Sequence, residues 1–306
     1  MQKLICIVGP TGIGKSDVAI RLAKLVQGEI ISADSMQIYK HCNIGTAKVT
    51  TEEMEGVAHW GIDIVEPSEP FTVNDWVAFA TRAIQDILSR GKTPMVVGGT
   101  GLYVEALLYG FSFAGVGQDE AYRKTLETIR QEHGNEYLHE MLESIDAQFA
   151  STIHPNQYKR IMRALEVYHV SCALPKKQED KQAQYDALVI GLEENRENLY
   201  KRINERVEKM LTQGLVEEVK GLLTTYKVPT SAQSMQAIGY REVVAYIDGK
   251  FGYEAMVEKL KQNSRHYAKR QFTWFKRMKD ICWYTRTDEK AIQEKVKEFL
   301  CKTQKK

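Results

Sequence analysis

Unbroken apolar runs and one-sided apolar stripes alternate along the first hundred residues. Leu4-Ile5-Cys6-Ile7-Val8 is a continuous apolar run, the pattern of a strand covered on both faces. A glycine-rich loop follows, and Asp17-Val18-Ala19-Ile20-Arg21-Leu22 then takes up helical spacing. Glu29-Ile30-Ile31-Ser32-Ala33 predicts a second short strand. Between Asn74 and Arg90, the residues Val77, Ala80, Ala83, Ile84, Ile87 and Leu88 mark one face of a helix. Gly91 is its stop, and Pro94 opens the next element. Met95-Val96-Val97 is another buried-type strand, and Ala187 to Leu192 reads as a return strand. Strands alternating with helices predict an α/β fold: a parallel sheet flanked by helices on both faces.

The pattern changes near Gly110, where Phe111 to Gly117 is a glycine-spaced connector. From Asp119 onward the chain is polar and helical, with Leu126, Ile129, Leu138, Met141, Leu142 and Ile145 at helical intervals. Ile153-His154-Pro155-Asn156 interrupts it before a helix from Tyr158 to Val170, and Lys176 to Gln184 is a charged stretch expected to be mobile. After the return strand, Leu199, Ile203, Val207, Met210 and Leu211 form a stripe broken at Gly214 and resumed by Leu215, Val219, Leu222 and Leu223. The rest is predicted helical through Lys279, with breaks at Gly239 and Gly249. The expected divisions are 1–116 as the first part of the core, 117–184 as an all-helical insertion domain, and 185–306 as the return to the core with a helical C-terminal region.

Composition adds exclusions. Hydrophobic content of 43% and charged content of 27% are ordinary for a globular protein. No apolar run reaches the length of a membrane span, and the early first strand predicts no leader segment. Five scattered cysteines without a C-x-x-C pair argue for a reducing compartment and against a disulfide frame or structural zinc, so the expected location is cytoplasmic. The net charge of +2 hides a clustering. Lys259, Lys261, Arg265, Lys269, Arg270, Lys276, Arg277 and Lys279 follow one another without an intervening acid, interleaved with Tyr267, Phe272, Trp274 and Phe275. Lys159, Arg160 and Arg163 form a second cluster. Either alone suits a solvated helix face; two on a nearly neutral chain point to a polyanion partner.

The chemistry begins at Gly9-Pro10-Thr11-Gly12-Ile13-Gly14-Lys15-Ser16, a G-x-x-x-x-G-K-[ST] loop between a strand and a helix, which makes the predicted core P-loop NTPase-like. Glycines let backbone N–H groups turn inward around phosphate, the lysine reaches its terminal oxygens, and the Ser16 hydroxyl is a ligand for Mg2+. In open parallel sheets ligands gather at the carboxyl ends of the strands. Three such ends carry polar or glycine-rich turns here: this loop, Asp34 to Gln37, and Gly98 to Gly101. They are expected to face one crevice. ATP binding by a nucleotide kinase or ATPase is the default for such a loop. Those proteins usually carry an acid at a strand end, but Met95-Val96-Val97 ends in glycines and a threonine, leaving Asp34 as the candidate acid. Asp34 could serve a kinase as general base, so spacing alone leaves at least two enzyme classes open. A guanine-reading N-K-x-D pattern is absent from the sequence.

Taken jointly, several segments resemble the tRNA dimethylallyltransferase family. They are Gly9 to Ser16, Asp34-Ser35-Met36-Gln37-Ile38-Tyr39, Gly98-Gly99-Thr100-Gly101-Leu102-Tyr103, His154-Pro155-Asn156 with Arg160, and Arg163-Ala164-Leu165-Glu166. The similarity continues through Gly191 to Gly214-Leu215, Ala237-Ile238-Gly239-Tyr240 and Tyr267-Ala268-Lys269-Arg270-Gln271 with Thr273-Trp274-Phe275, in family order. Ser264 stands where the family commonly has threonine, a change that keeps a hydroxyl.

The resemblance implies transfer of a dimethylallyl group from dimethylallyl diphosphate to N6 of the adenosine at position 37, beside the tRNA anticodon. The loop would hold diphosphate as leaving group, with Lys15 and magnesium on Ser16 neutralising it. Asp34 would be the general base, and Thr100 would hydrogen-bond near the diphosphate and align the substrates. The target base would flip into a channel between core and insertion, beside Ser35, Met36 and Gln37. Arg123 and the segment Gln157, Tyr158, Lys159, Arg160 and Ile161 match tRNA-contacting positions of the family. The basic stretch from Arg265 to Arg277 is expected to meet the anticodon stem, and the enzyme is expected to be a monomer. Related enzymes prenylate free adenine nucleotides; the long insertion with its basic helix argues for the macromolecular acceptor.

Overall fold

The computed structural model describes residues 1–110, 119–174 and 182–302. Contacts divide the chain into two compact units, one of Met1–Gly110 with Gln182–Lys306 and a second of Phe111–Lys181. The glycine-spaced connector after Gly110 and most of the charged stretch from Lys176 lie outside the described residues.

The first unit is built on six strands: β1 (Lys3–Val8), β2 (Gly28–Ser32), β3 (His59–Trp60), β4 (Thr93–Gly98), β5 (Asp186–Leu192) and β6 (Ile281–Tyr284). All pair in parallel, in the order β3-β2-β4-β1-β5-β6. β1 is central and shows why an unbroken apolar run is needed there. Its Leu4, Cys6 and Val8 enter the hydrophobic core on one face, and Ile5 and Ile7 enter the core on the other. The helices before the second unit are α1 (Lys15–Val26), α2 (Val73–Ser89) and α3 (Gly101–Tyr109). α2 starts at a reciprocal cap between Thr72 and Asp75, and its buried stripe is Trp76, Ala80, Ala83, Ile84 and Ile87.

The second unit contains α4 (Glu120–Ile145), α5 (Ala147–Ala150) and α6 (Tyr158–Ser171). Gly134, at φ 90°, interrupts α4. Leu126, Leu138, Leu142, Ala150, Ile153, Ile161, Ala164 and Leu165 make a separate small core.

The first unit then resumes with α7 (Arg196–Thr212), α8 (Leu215–Thr224), α9 (Tyr240–Ile247), α10 (Tyr253–Arg277) and, after β6, α11 (Glu289–Cys301). α8, α9 and α10 pack with Ile38 and Tyr39 in a third core, which anchors the segment after β2. The predicted helical run to Lys279 is therefore divided. β3, β6 and α11 were not predicted: β3 is two residues long, and every residue of β6 is only half-buried, so neither carries a clear apolar signal. Among the described residues no helix is long and apolar enough to cross a membrane.

Candidate active site

The loop after β1 takes its shape from glycine. Gly9, Gly12 and Gly14 have φ of 149°, 78° and 90°, values that residues with a Cβ rarely adopt. Successive N–H groups in such a turn form an anion cradle, and α1 begins at Lys15 with its positive end at the same point. Lys15 Nζ donates to the Pro10 carbonyl at 2.9 Å. The far side of the loop is tied to α10: the Thr11 N–H donates to Gln271 Oε1 at 2.8 Å, and Gln271 Nε2 donates to the Gly99 carbonyl at 2.9 Å. A Cβ on residue 99 would stand 2.1 Å from Gln271 Nε2, so this bridge requires glycine there.

The turn after β2 is held by its own acid. Asp34 Oδ1 accepts the N–H groups of Met36 and Gln37 at 2.8 and 3.3 Å. Its second oxygen makes no hydrogen bond among the described residues. From behind, Thr100 Oγ1 accepts the Ser35 N–H at 3.1 Å, and the Thr100 N–H donates to the Ala33 carbonyl at 3.0 Å. Gln37 Nε2 reaches the carbonyls of Thr46 and Ala47 at 3.3 and 3.2 Å, joining the turn to the segment 43–48. That segment is itself clamped: the Glu218 carboxylate accepts the N–H groups of Asn43, Ile44 and Gly45 at 2.7–2.9 Å, and the Tyr240 hydroxyl at 2.7 Å.

These pieces enclose a cleft of about 1130 Å³ within the first unit. Thr11, Gly12, Gly14, Lys15 and Ser16 line it on one side, and Asp34, Ser35, Met36 and Gln37 on another. α7 contributes Arg202 and Arg206, and α10 contributes Tyr267 and Arg270. Ile44, Val207, Met210, Ile238 and Leu260 give it an apolar portion.

Charge is concentrated at the loop. Burial pushes the Lys15 ammonium down to about 8, against the pull of the Asp34 carboxylate and with a further push from the Arg206 guanidinium. Burial likewise lowers Arg206, opposed by Asp34 and Glu53. Arg206 makes no hydrogen bond or ion pair among the described residues. Arg202, by contrast, is paired with Glu194. The Tyr267 phenol is pushed up by burial and by Asp34, within hydrogen-bonding reach of Thr100 and Gln271.

The expected convergence of three strand ends is thus a feature of the structure, with differences inside it. Gly9, Pro10 and Ile13 stand behind the lining, and the Ile13 side chain is in the core. Thr100 is not among the residues that line the cleft; its hydroxyl accepts the Ser35 N–H, which props the Asp34 turn, and its O–H remains able to donate. Arg206 and Gln271 had no assigned role. Arg206 falls beside the apolar stripe of α7 and Gln271 within the basic, aromatic stretch of α10, and only the tertiary packing of these helices against the loop reveals them.

In the second unit, Arg123 is bound to the fully buried Glu166 carboxylate at 2.8 Å, and Arg163 to the same group at 2.6 Å. Those hydrogen bonds, with the Asp119 N–H, hold Glu166 below the usual carboxylate range against the opposing effect of burial. Arg160 donates to Gln157 Oε1 at 2.9 Å, and Arg130 lies 4.5 Å from the centre of the Tyr158 ring. Lys159 and Arg160 are exposed, whereas Ile161 is fully buried. The Ile161 side chain therefore corrects its expected role at the RNA surface: it packs α6 against α4.

Comparison with known proteins agrees along the whole chain. The sequence model of the IPP transferase family matches residues 37–278, and that of isopentenyl transferase matches residues 2–63. The tRNA dimethylallyltransferase of Geobacillus thermodenitrificans is 47% identical over 303 residues, covering 98% of this chain and 95% of that one. The Bacillus subtilis protein of the same name is 44% identical over 302 residues, covering 98% and 96%. Among solved structures, the tRNA isopentenylpyrophosphate transferase of Bacillus halodurans superimposes with a TM-score of 0.75 at 42% identity, covering 98% and 97%. A eukaryotic dimethylallyltransferase acting on tRNA does so with a TM-score of 0.81 at 31% identity, covering 97% of this chain and 78% of its own. With a cleft that joins an anion loop to a free carboxylate oxygen, and with this similarity over nearly its full length, the chain belongs to the tRNA dimethylallyltransferase family of prenyltransferases.

Proposed function

We propose that the chain transfers the dimethylallyl group of dimethylallyl diphosphate to N6 of adenosine 37 in tRNA, releasing diphosphate. The observation that carries this reading is the juxtaposition of Asp34, with one carboxylate oxygen uncommitted, and the cations Lys15 and Arg206 in one cleft. Diphosphate sits in the loop, where N–H groups, Lys15 and Arg206 neutralise its oxygens as charge builds on the leaving group. The apolar portion beside Val207, Met210 and Leu260 takes the five-carbon chain. The N6 lone pair forms a bond to the allylic carbon as the carbon–oxygen bond to diphosphate breaks, and the N6 proton passes to Asp34 Oδ2. Oδ1 stays with the Met36 and Gln37 N–H groups, which fixes the direction of the other oxygen.

Magnesium fits the residues present. Ser16 is exposed and lines the cleft beside the loop, and magnesium is commonly held by one or two protein oxygens together with phosphate oxygens and water. When bound, it would withdraw charge from the departing diphosphate. Location in the cytoplasm and a monomeric state belong to the same reading.

The test is to incubate the protein with unmodified tRNA, magnesium and either dimethylallyl diphosphate or ATP. Adenosine that gains a prenyl mass at position 37, with release of diphosphate, is the expected result. Phosphate transfer from ATP without prenylation would overturn the reading.

A further inference from the structure

The outward face of α10 continues from the cleft and carries chemistry that the transfer reaction does not use. In its C-terminal half Ala268, Gln271 and Phe275 are buried, while Lys269, Arg270, Trp274 and Arg277 are exposed. Arg270, Trp274 and Arg277 are related as i, i+4 and i+7 and so form one stripe along the helix. Lys279 extends it past the helix end.

The eight clustered cations of this stretch are not equivalent. Lys261 is paired with Glu208 and Glu258, Lys276 with Glu193, and Arg265 donates to Asn204. Lys269, Arg270, Arg277 and Lys279 make no ion pair among the described residues. An indole stands among them: Trp274 is 37% exposed, with its inner edge against Gly101, the first residue of α3. Arg270 and Tyr267, one turn earlier, line the cleft. The stripe therefore leads from the place where a nucleoside would react, past the exposed part of the Trp274 ring, to the unpaired cations Arg277 and Lys279.

We propose that this face tracks an RNA strand entering or leaving the cleft, with Arg277 and Lys279 on phosphates and Trp274 stacked on an unpaired base next to the reacting nucleotide. The inference rests on the tRNA reading above and adds to it a surface and a mode of contact. Cations interleaved with an exposed aromatic ring suit single-stranded nucleic acid, because every base offers a face to stack and every linkage a charge. Arg270 to Arg277 spans about 10 Å at 1.5 Å per residue. A single ring set between lysines, arginines and a threonine leaves too little apolar area to enter a bilayer, which favours RNA over an anionic membrane.

The experiment titrates an unmodified anticodon stem-loop RNA against the full chain over a salt series. Wild type is compared with the double variant Arg277→Gln/Lys279→Gln, with Trp274→Ala and with Trp274→Phe, and inorganic diphosphate affinity reports whether the cleft is intact in each. The double variant is expected to flatten the salt dependence by about 1.4, at about 0.7 per phosphate contact. Trp274→Ala should weaken binding about 5- to 150-fold at an unchanged slope, with Trp274→Phe restoring most of it. A double variant with the wild-type slope, or Trp274→Ala with wild-type affinity, would overturn the proposal. If wild type prenylates the stem-loop while the variants bind like wild type, only this surface fails. If wild type neither binds nor prenylates it, the parent reading fails as well.

Discussion

Gln271 Oε1 accepts the backbone N–H of Thr11 at 2.8 Å across 260 positions of sequence. With its Nε2 on the Gly99 carbonyl, the same side chain joins two of the three strand-end loops, and it is buried. The glycine loop is thereby held in shape by α10 as well as by its own glycines. Gln271→Ala leaves a buried carbonyl without a donor, which costs about 1–3 kcal/mol. The expected outcome is a lower midpoint in urea unfolding together with weaker inorganic diphosphate binding. Gln271→Glu keeps an acceptor for Thr11 but offers Gly99 no donor, so it should recover diphosphate binding less than stability. Equal losses in both variants, with diphosphate affinity untouched, would remove the loop from the role given to Gln271.

Asp34 Oδ1 holds the turn, the proposed mechanism gives Oδ2 the N6 proton, and the two roles are separable. Asp34→Asn keeps an acceptor for the Met36 and Gln37 N–H groups while removing the base. Its kcat should fall by about 10²–10⁴ with little change in KM for dimethylallyl diphosphate. Asp34→Ala removes the turn as well and should add a loss of tRNA affinity through Ser35, Met36 and Gln37. A single-turnover rate for Asp34→Asn close to wild type would show that the carboxylate only shapes the turn.

Lys15 makes the pH dependence of binding predictable. Its ammonium titrates at about 8 in the folded chain, below the ordinary lysine value of 10.5. Between those values the unfolded chain holds a proton that the folded chain has released, so this group's contribution to stability rises with pH across the window. Diphosphate binding favours the charged form and behaves oppositely: affinity should fall as pH rises past about 8. Binding above pH 8 should also take up a proton, visible as a buffer-dependent heat in calorimetry. Lys15→Arg, charged throughout, should abolish the proton uptake; uptake that persists would assign it to another group.

Glu29 provides an acid-stability test away from the site. Its buried carboxylate is held by Arg90, Lys92 and the Trp60 indole N–H, and those hydrogen bonds bring it down to about 2 against the opposing effect of burial. A depressed carboxylate stabilises the fold above its unfolded value, near 4.5, and loses that contribution as pH falls towards 2. Thermal unfolding from pH 5 to pH 2 should therefore decline more steeply in wild type than in Glu29→Gln. Parallel declines would show that other carboxylates govern acid unfolding.

Much of the site was legible because it is local in sequence. Gly9 to Ser16 needs its glycines for backbone reasons, and β1, β2 and β4 are apolar runs whose ends topology brings together. What was not legible is long-range. The prop that the Thr100 hydroxyl gives the Ser35 N–H is invisible in the spacing, and Ile161 reads as part of an exposed segment until the α4 and α6 core is assembled. Glu218, on an ordinary amphipathic helix, organises three N–H groups some 170 residues earlier, which no spacing rule anticipates. The short edge strands β3 and β6 lack the burial that writes an apolar pattern.

Arg206 is the cation that sequence patterning conceals most fully, since it falls on a helix whose stripe Leu199, Ile203, Val207 and Met210 is core. Its guanidinium faces Asp34 and Lys15 without a hydrogen bond among the described residues, and its charge contributes to the lowered value of Lys15. Two consequences separate a ligand-binding role from a structural one. Losing a charged hydrogen bond to an anion costs about 1.5–3 kcal/mol, so Arg206→Gln should lower kcat/KM for dimethylallyl diphosphate about 10- to 150-fold. Removing the positive neighbour should also raise the Lys15 value, moving the pH at which diphosphate affinity falls upward from about 8. A variant that only loosened the packing of α7 would lower the unfolding midpoint and leave that pH unchanged. Inorganic diphosphate titrations from pH 7 to pH 10, on wild type and Arg206→Gln, distinguish the two: an unshifted profile with full affinity would take Arg206 out of the site.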